Sequence, residues 1–139
     1  MSDPPDQAGG RGRLAEVLVS RGGRAAPEDY GWFREFQHDP RERRWNLWGY
    51  VDQRDVAASC RLALEAPTDA VQGNPAFIIA AADTVMPRPS AELLAEVFPG
   101  VRLTREVSEY GTLLAIDRAR EVLGFEPAHS WRDHVPAPS

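Results

Sequence analysis

Residues 46–57 constrain the fold of this chain more than any other stretch, because a strand pattern passes directly into a helix pattern there. The segment 46–51 carries aromatic and β-branched residues, which are typical of a short, well-covered β-strand. Asp52 follows it and can cap a helix by accepting a hydrogen bond from a free amide of the next turn. Asp55, at the third helical position, adds negative charge where the helix dipole favours it. We therefore predict a short buried strand that leads straight into a capped helix.

The helix is predicted over residues 53–66, and Pro67 stops it. Apolar side chains recur at helical spacing and are expected to face inward: Val56, Ala57, Cys60 and Leu64. Cys60 is then a small core residue, and a single cysteine can form no internal disulfide.

Composition argues against several classes of protein. A length of 139 residues supports one domain, and a net charge of −5 with a pI near 5.2 argues against nucleic-acid binding. The small basic run at 41–44 is expected to be a solvated loop. No apolar run approaches the roughly 18 residues that a membrane span needs, and the chain does not begin with an apolar leader. We expect a cytoplasmic chain with no nucleic-acid or membrane partner.

Lysine is absent from the sequence, and all 16 basic residues are arginine. A mechanism that needs a lysine ammonium within this chain is therefore excluded, including a Schiff base and a P-loop. Arginine cannot substitute, because it does not release its proton and its planar fork is not a compact point charge.

The pattern along the chain indicates three zones. Residues 1–25 are predicted to be a disordered or unrelated tail, within which 14–19 is either a strand or one helical turn. Residues 26–135 are predicted to be the folded domain, and residues 136–139 a second tail. The sequence contains no internal repeats.

Within the domain, helices and short strands alternate. The segment 76–81 is apolar without interruption, which indicates a strand covered on both faces, as in α/β sheets. An amphipathic helix is predicted over 90–98, a short strand over 101–104, and a last helix over 116–123 that Gly124 stops. The predicted fold class is therefore α/β.

The junction at 46–57 resembles the one near the C-terminal end of extended short-chain dehydrogenase/reductases, the NAD-dependent epimerase/dehydratase family. Two further stretches resemble the same region, namely Pro-Glu-Asp-Tyr at 27–30 and the Leu-Gly-Phe-Glu-Pro run that opens 123–133. The resemblance covers about residues 27–134. It implies the C-terminal, substrate-binding part of a Rossmann-like domain, with an incomplete sheet.

The complete family enzyme binds NAD or NADP at a Gly-rich strand-to-helix turn and uses a Tyr-x-x-x-Lys pair in catalysis. The glycine clusters at 9–12 and 22–23 follow no convincing strand, so we interpret them as linker. The tyrosines at 30, 50 and 110 are followed four residues later by arginine, arginine and leucine. Tyr30 is expected to pack a helix. We predict that this chain alone binds no cofactor and supplies no catalytic residue.

The resemblance also points to candidate substrate-binding residues. Trp48 stands where members that handle nucleotide sugars carry a basic residue, which argues for a smaller sugar or acid. Arg102 and Arg105 lie where the family often supplies an anion-binding arginine, although simple solvent exposure is the alternative. Asp83 and Thr84 follow the predicted strand and could line a pocket, or the aspartate could stabilise a turn.

Other groupings are predicted to be structural. A metal site is not expected at His129 and His134, which are five residues apart and lack a carboxylate or thiol at ligand spacing. Capping and surface pairing are expected for two Arg-Asp dipeptides, at 54–55 and 132–133. Core packing is expected for three tryptophans that could form one cluster: Trp45, Trp48 and Trp131.

Three hypotheses follow. The chain is the C-terminal segment of an epimerase/dehydratase and is completed by a separate N-terminal Rossmann half. Alternatively, it is a stand-alone binding or interaction module that uses a sheet face as its interface, or the product of a decayed or mis-started reading frame. An exposed sheet face would also permit self-association.

Overall fold

The computed structural model describes residues 24–135, apart from positions 68, 71, 72 and 74. The predicted segment at 14–19, the glycine clusters at 9–12 and 22–23, and the tail at 136–139 lie outside the described residues.

The strand–helix junction at the centre of the domain rests on a parallel pair of short strands. Strand β1 (Arg24–Ala25) pairs in parallel with strand β2 (Val51–Asp52), with Arg24 opposite Val51. Helix α1 (Gln53–Glu65) leaves β2 directly, and the Asp52 carboxylate accepts a hydrogen bond from the Arg54 amide. The predicted capped helix is therefore confirmed. It could be predicted because the signals for the cap lie in neighbouring residues.

The predicted strand at 46–51 is wrong except at its last residue. Residues Arg44–Asn46 form a 3-10 helix, and Leu47 and Trp48 then adopt left-handed backbone angles, with φ of 53° and 59°. A left-handed backbone cannot continue a β-ladder, so only Val51 of the segment enters the sheet. Burial explains the aromatic pattern instead, because Trp48 is fully enclosed and its indole donates to the Pro40 carbonyl at 2.7 Å.

The basic run at 41–44 also differs from expectation at one position. Arg43 is buried, its guanidinium lies 4.6 Å from the centre of the Phe36 ring, and it donates to the Gly49 carbonyl at 3.2 Å. Burial lowers the pKa of Arg43 to about 10, so this arginine keeps its charge at neutral pH.

Helix α1 buries a different face from the predicted one. Cys60 is exposed, and Leu64 is 88% exposed, so neither is a core residue. The inward face instead carries two buried polar residues followed by two partly buried apolar ones: Asp55, Ser59, Leu62 and Ala66. Polar side chains on the buried face conceal the hydrophobic period, which is why the pattern was misleading.

In the described residues, the segments 76–81 and 101–104 do not form the predicted strands, whereas both predicted later helices are present. Residues 75–80 are irregular with alternating exposure, and residues 101–104 are exposed. Helix α2 (Ser90–Val97) and helix α3 (Asp117–Leu123) lie within one residue of their predicted bounds. Gly124 ends α3 in a left-handed conformation, with φ of 68°.

An aromatic core surrounds the 3-10 helix Pro27–Glu35 and connects it to the last 3-10 turn, Trp131–Asp133. Trp131 packs edge-on against Phe33 in this core, whereas Trp45 is 53% exposed. The three tryptophans therefore form no common cluster. None of the helices in the described ranges is long and apolar enough to cross a membrane. The assignment to the α/β class stays a prediction.

Candidate functional site

A pocket of about 390 Å³, here called the polar pocket, lies where segments 82–83, 108–111 and 127–133 meet. Asp83 and Gly111, which both line it, form an antiparallel bridge, supported by hydrogen bonds from Thr84 N to Tyr110 O at 3.0 Å and from Thr112 N to Ala82 O at 2.9 Å. The lining therefore includes paired backbone, together with residues of the 127–133 segment.

Asp83 lines the polar pocket and accepts three hydrogen bonds from within the protein. Tyr50 donates to Oδ1 at 2.7 Å, and Ser130 and Arg132 donate to Oδ2 at 2.6 and 2.5 Å. The side chain of Asp83 is only 15% exposed. Its lone pairs are therefore largely occupied, which makes it a residue that holds the pocket walls together. Its role in substrate binding stays a prediction.

The C-terminal turn attaches to the segment after Asp83 through further hydrogen bonds. Arg132 donates to the carbonyls of Thr84 at 2.8 Å and Met86 at 2.5 Å, and the Trp131 indole donates to Thr84 at 2.8 Å. The guanidinium of Arg132 also lies 4.4 Å from the centre of the Tyr110 ring. The expected surface pair at 132–133 is therefore replaced by a partly buried ion pair with Asp83.

Thr84 is fully buried, and its hydroxyl accepts a hydrogen bond from the Met86 amide at 3.3 Å. Its backbone serves as an anchor for the C-terminal turn, so the side chain presents no polar group to the polar pocket. The structure thus places Thr84 behind Asp83, and does not bring it to the pocket surface.

A pair formed by a buried aspartate and a partly exposed histidine borders the same pocket and was missed by sequence reasoning. Asp55, which is 2% exposed, accepts hydrogen bonds from the Ala128 amide at 3.2 Å, the His129 amide at 3.1 Å and His129 Nδ1 at 2.7 Å. The two residues lie 74 positions apart. A contact between residues so far apart leaves no local spacing pattern. The sequence analysis therefore interpreted Asp55 only as a negative charge in the first turn of its helix.

The second pocket, here called the arginine pocket, has a volume of about 480 Å³ and lies between the end of α2 and segments 101–107 and 112–115. Its lining is mainly apolar and includes Leu94, Phe98 and Leu113, with Arg102 and Arg105 also at its surface. The two predicted arginines are therefore together, but they are in a different pocket from Asp83.

The arginines of this pocket differ in their charge partners. Arg105 donates to Asp117 at 2.6 Å, and this hydrogen bond lowers the pKa of the Asp117 carboxyl. Arg102 is exposed and has no ion-pair partner among the described residues. Of the two arginines, Arg102 is therefore the one whose charge is available to bind an anion.

Tyr30 is a packed core residue, as predicted, and its hydroxyl donates to Asp52. Burial raises the pKa of Tyr30, and the hydrogen bond to the Asp52 carboxylate raises it further. Burial, together with the charge of Asp83, likewise raises the pKa of Tyr50. A tyrosine base needs its pKa lowered, so these two environments do not suit that role.

The strand-to-helix turn at β2 does not fit a dinucleotide. The Asp52 carboxylate accepts from the Arg54 amide at 2.8 Å and from the Arg54 side chain at 2.8 and 3.0 Å. A negative carboxylate therefore occupies the position at the helix start where a pyrophosphate would have to bind. Within the described ranges, no group of three His, Cys, Asp or Glu side chains could hold a metal ion.

Comparison of the chain with models of known protein families, with curated proteins and with solved structures finds no match in any of the three.

Proposed function

We propose that this chain forms the substrate side of an oxidoreductase of the NAD-dependent epimerase/dehydratase type. The observation that supports this most directly is the parallel pairing of β1 with β2, followed at once by the Asp52-capped helix α1. The same junction carries the sequence resemblance. Under this proposal the chain is part of a Rossmann-like α/β domain that works in the cytoplasm.

The substrate would carry an anionic group on a compact, partly apolar body. The arginine pocket supports this choice, because apolar side chains line it and Arg102 has charge available at its surface. Trp48 is fully buried and contributes no positive charge, which favours a small sugar acid over a nucleotide diphosphate.

Catalysis would require a separate Rossmann half that supplies the NAD or NADP site and the Tyr-x-x-x-Lys pair. This follows from the lack of lysine, from the raised pKa values of Tyr30 and Tyr50, and from the anionic cap at the strand-to-helix turn. When bound, the nicotinamide would accept hydride from an alcohol carbon of the substrate. The present chain would bind and orient that substrate.

Two measurements on the purified chain test the proposal. Calorimetric titration with NAD and NADP should give no binding, and measurable binding of either would contradict the proposed division of the site. Titration with glucuronate should perturb NMR signals around the arginine pocket. Arg102→Gln should abolish that perturbation, whereas Arg61→Gln, on the exposed face of α1, should leave it intact.

The upstream nucleotide sequence provides a further test of the split enzyme. A Gly-rich turn and a Tyr-x-x-x-Lys motif encoded there would support completion by a second half. Their absence would leave the alternative, a stand-alone binding module. A monomer with a cooperative melt would favour the module, whereas self-association would favour the missing half.

A further inference from the structure

We propose that the polar pocket binds an uncharged, polyhydroxylated ligand and that His129 accepts a hydrogen bond from one of its hydroxyl groups. This inference rests on the Asp55–His129 pair and does not depend on the proposed function. The pocket is separate from the arginine pocket, and its lining contains neither arginine nor lysine.

The first step concerns the proton on the imidazole. His129 Nδ1 lies 2.7 Å from Asp55 Oδ1, and an ionised carboxylate can only accept, so Nδ1 carries the proton. In the neutral imidazole, Nε2 then has a free lone pair and acts as an acceptor. Asp55 fixes the ring orientation as well, because the same carboxylate holds the amides of Ala128 and His129.

The second step concerns which groups remain available to a ligand. Asp83 already accepts from Tyr50, Ser130 and Arg132, so its carboxylate has little capacity left. The side chain of His129 is 29% exposed and lines the pocket. It is therefore the positioned acceptor that a ligand can still reach.

The third step concerns the charge of the ligand. The other polar side chains of the lining are the hydroxyls of Ser108, Tyr110 and Ser130 and the exposed carboxylates of Glu109 and Asp133. Solvent screens the exposed carboxylates, so they neither attract a cation strongly nor repel an anion strongly. An anion would also find no cationic side chain in the lining. Hydroxyl donors suit this set of acceptors, and a volume of about 390 Å³ is within the range of small-molecule sites.

The experiment is an NMR titration of the full chain with three hexose probes that differ mainly in charge: glucose, glucosamine and glucuronate. We expect glucose to perturb the His129 ring and the Tyr110 and Gly111 amides. His129→Phe, which keeps a ring but removes the acceptor, should weaken glucose binding at least tenfold. His129→Gln, which retains an acceptor, should restore part of the affinity.

The matched control is His38→Phe, because His38 is 68% exposed and does not line the pocket. This variant should bind glucose as the unaltered chain does, and thermal melts of all variants verify that they fold. The proposal is overturned if glucose leaves the pocket signals unchanged, if glucosamine alone perturbs them, or if folded His129→Phe keeps full affinity. Each of these outcomes leaves the NAD and Arg102 tests unaffected.

Discussion

The hydroxyl of Tyr50 donates to Asp83 Oδ1 at 2.7 Å across 33 residues of sequence, and the Tyr50 hydroxyl oxygen accepts from the Trp131 amide at 3.0 Å. One phenol therefore connects the residue before β2, the segment after Ala81 and the C-terminal turn. Because both bonds are buried or nearly so, neither can be replaced freely by water.

Replacement of Tyr50 by phenylalanine should destabilise the domain by about 2–3 kcal/mol. The variant removes a donor to Asp83 and leaves the buried Trp131 amide without its acceptor, and unsatisfied buried groups carry the full cost of desolvation. Urea unfolding measures the change. Tyr110→Phe is the control, because that hydroxyl makes no hydrogen bond within the described part of the chain. Equal effects for the two variants would contradict the bridging role of Tyr50.

Asp83→Asn should cost about 2–4 kcal/mol of unfolding free energy. The substitution leaves Arg132, only 25% exposed, without the charge that it contacts at 2.5 Å. Asp133→Asn alters a neighbouring exposed aspartate and should change stability by less than about 0.5 kcal/mol. A mild effect at Asp83, similar to that at Asp133, would show that its three hydrogen bonds contribute little.

Asp52 should make the domain sensitive to acid. Burial alone would raise its pKa, but hydrogen bonds from Arg54 and Tyr30 outweigh burial and hold the pKa at about 2. The folded pKa is thus below the unfolded one, so this stabilisation is complete above about pH 4 and is lost as the pH falls toward 2. Its size is about 2 kcal/mol.

Urea unfolding at pH 7, 4 and 2.5 tests this dependence. Asp52→Asn should be less stable than the unaltered chain at pH 7, and the difference should shrink toward pH 2.5. Asp69→Asn, at an exposed turn position, should follow the unaltered chain throughout. A constant difference between Asp52→Asn and the unaltered chain would assign the effect to something other than ionisation.

Alkaline titration should show two masked phenols. Burial raises the pKa of Tyr30 and of Tyr50, and the carboxylates that accept their hydrogen bonds add to the effect. The unfolded chain releases these protons near pH 10 while the folded chain retains them, so stability falls as the pH rises above about 10. Phenolate absorbance should therefore increase in step with unfolding by circular dichroism. Full ionisation in a still folded chain would contradict this expectation.

Gly124→Ala should cost about 1 kcal/mol, because the residue ends α3 at φ of 68° and an alanine is strained there. A methyl group at this position would meet no atom within 4 Å, so the cost is conformational. Gly31→Ala is the control, since it has equal space and an ordinary φ. Thermal melts should show a loss for Gly124→Ala alone.

Features encoded within a few residues were predictable from the sequence. The Asp52 cap, the bounds of α2 and α3, and the Gly124 stop depend on neighbouring side chains. The strand at 46–51 was mispredicted because buried aromatic residues favour a strand equally well when they lie in an irregular, left-handed segment.

The candidate site was only partly accessible to sequence reasoning. Asp83 was identified by its position after an apolar segment, but its three donors come from distant parts of the chain. Arg102 and Arg105 border a different pocket from Asp83, and their role in binding stays a prediction. The pairing of His129 with Asp55 was missed because the two residues lie 74 positions apart in sequence.

The C-terminal turn, residues Trp131–Asp133, also has a kinetic consequence. Its contacts close long loops, since Tyr50 and Trp131 are 81 residues apart and Asp83 and Arg132 are 49 apart. A high contact order slows folding, because the entropy of loop closure is lost before the distant contacts form. This domain should therefore fold slowly for its size, and its aromatic core should stay incomplete until its last turn has docked.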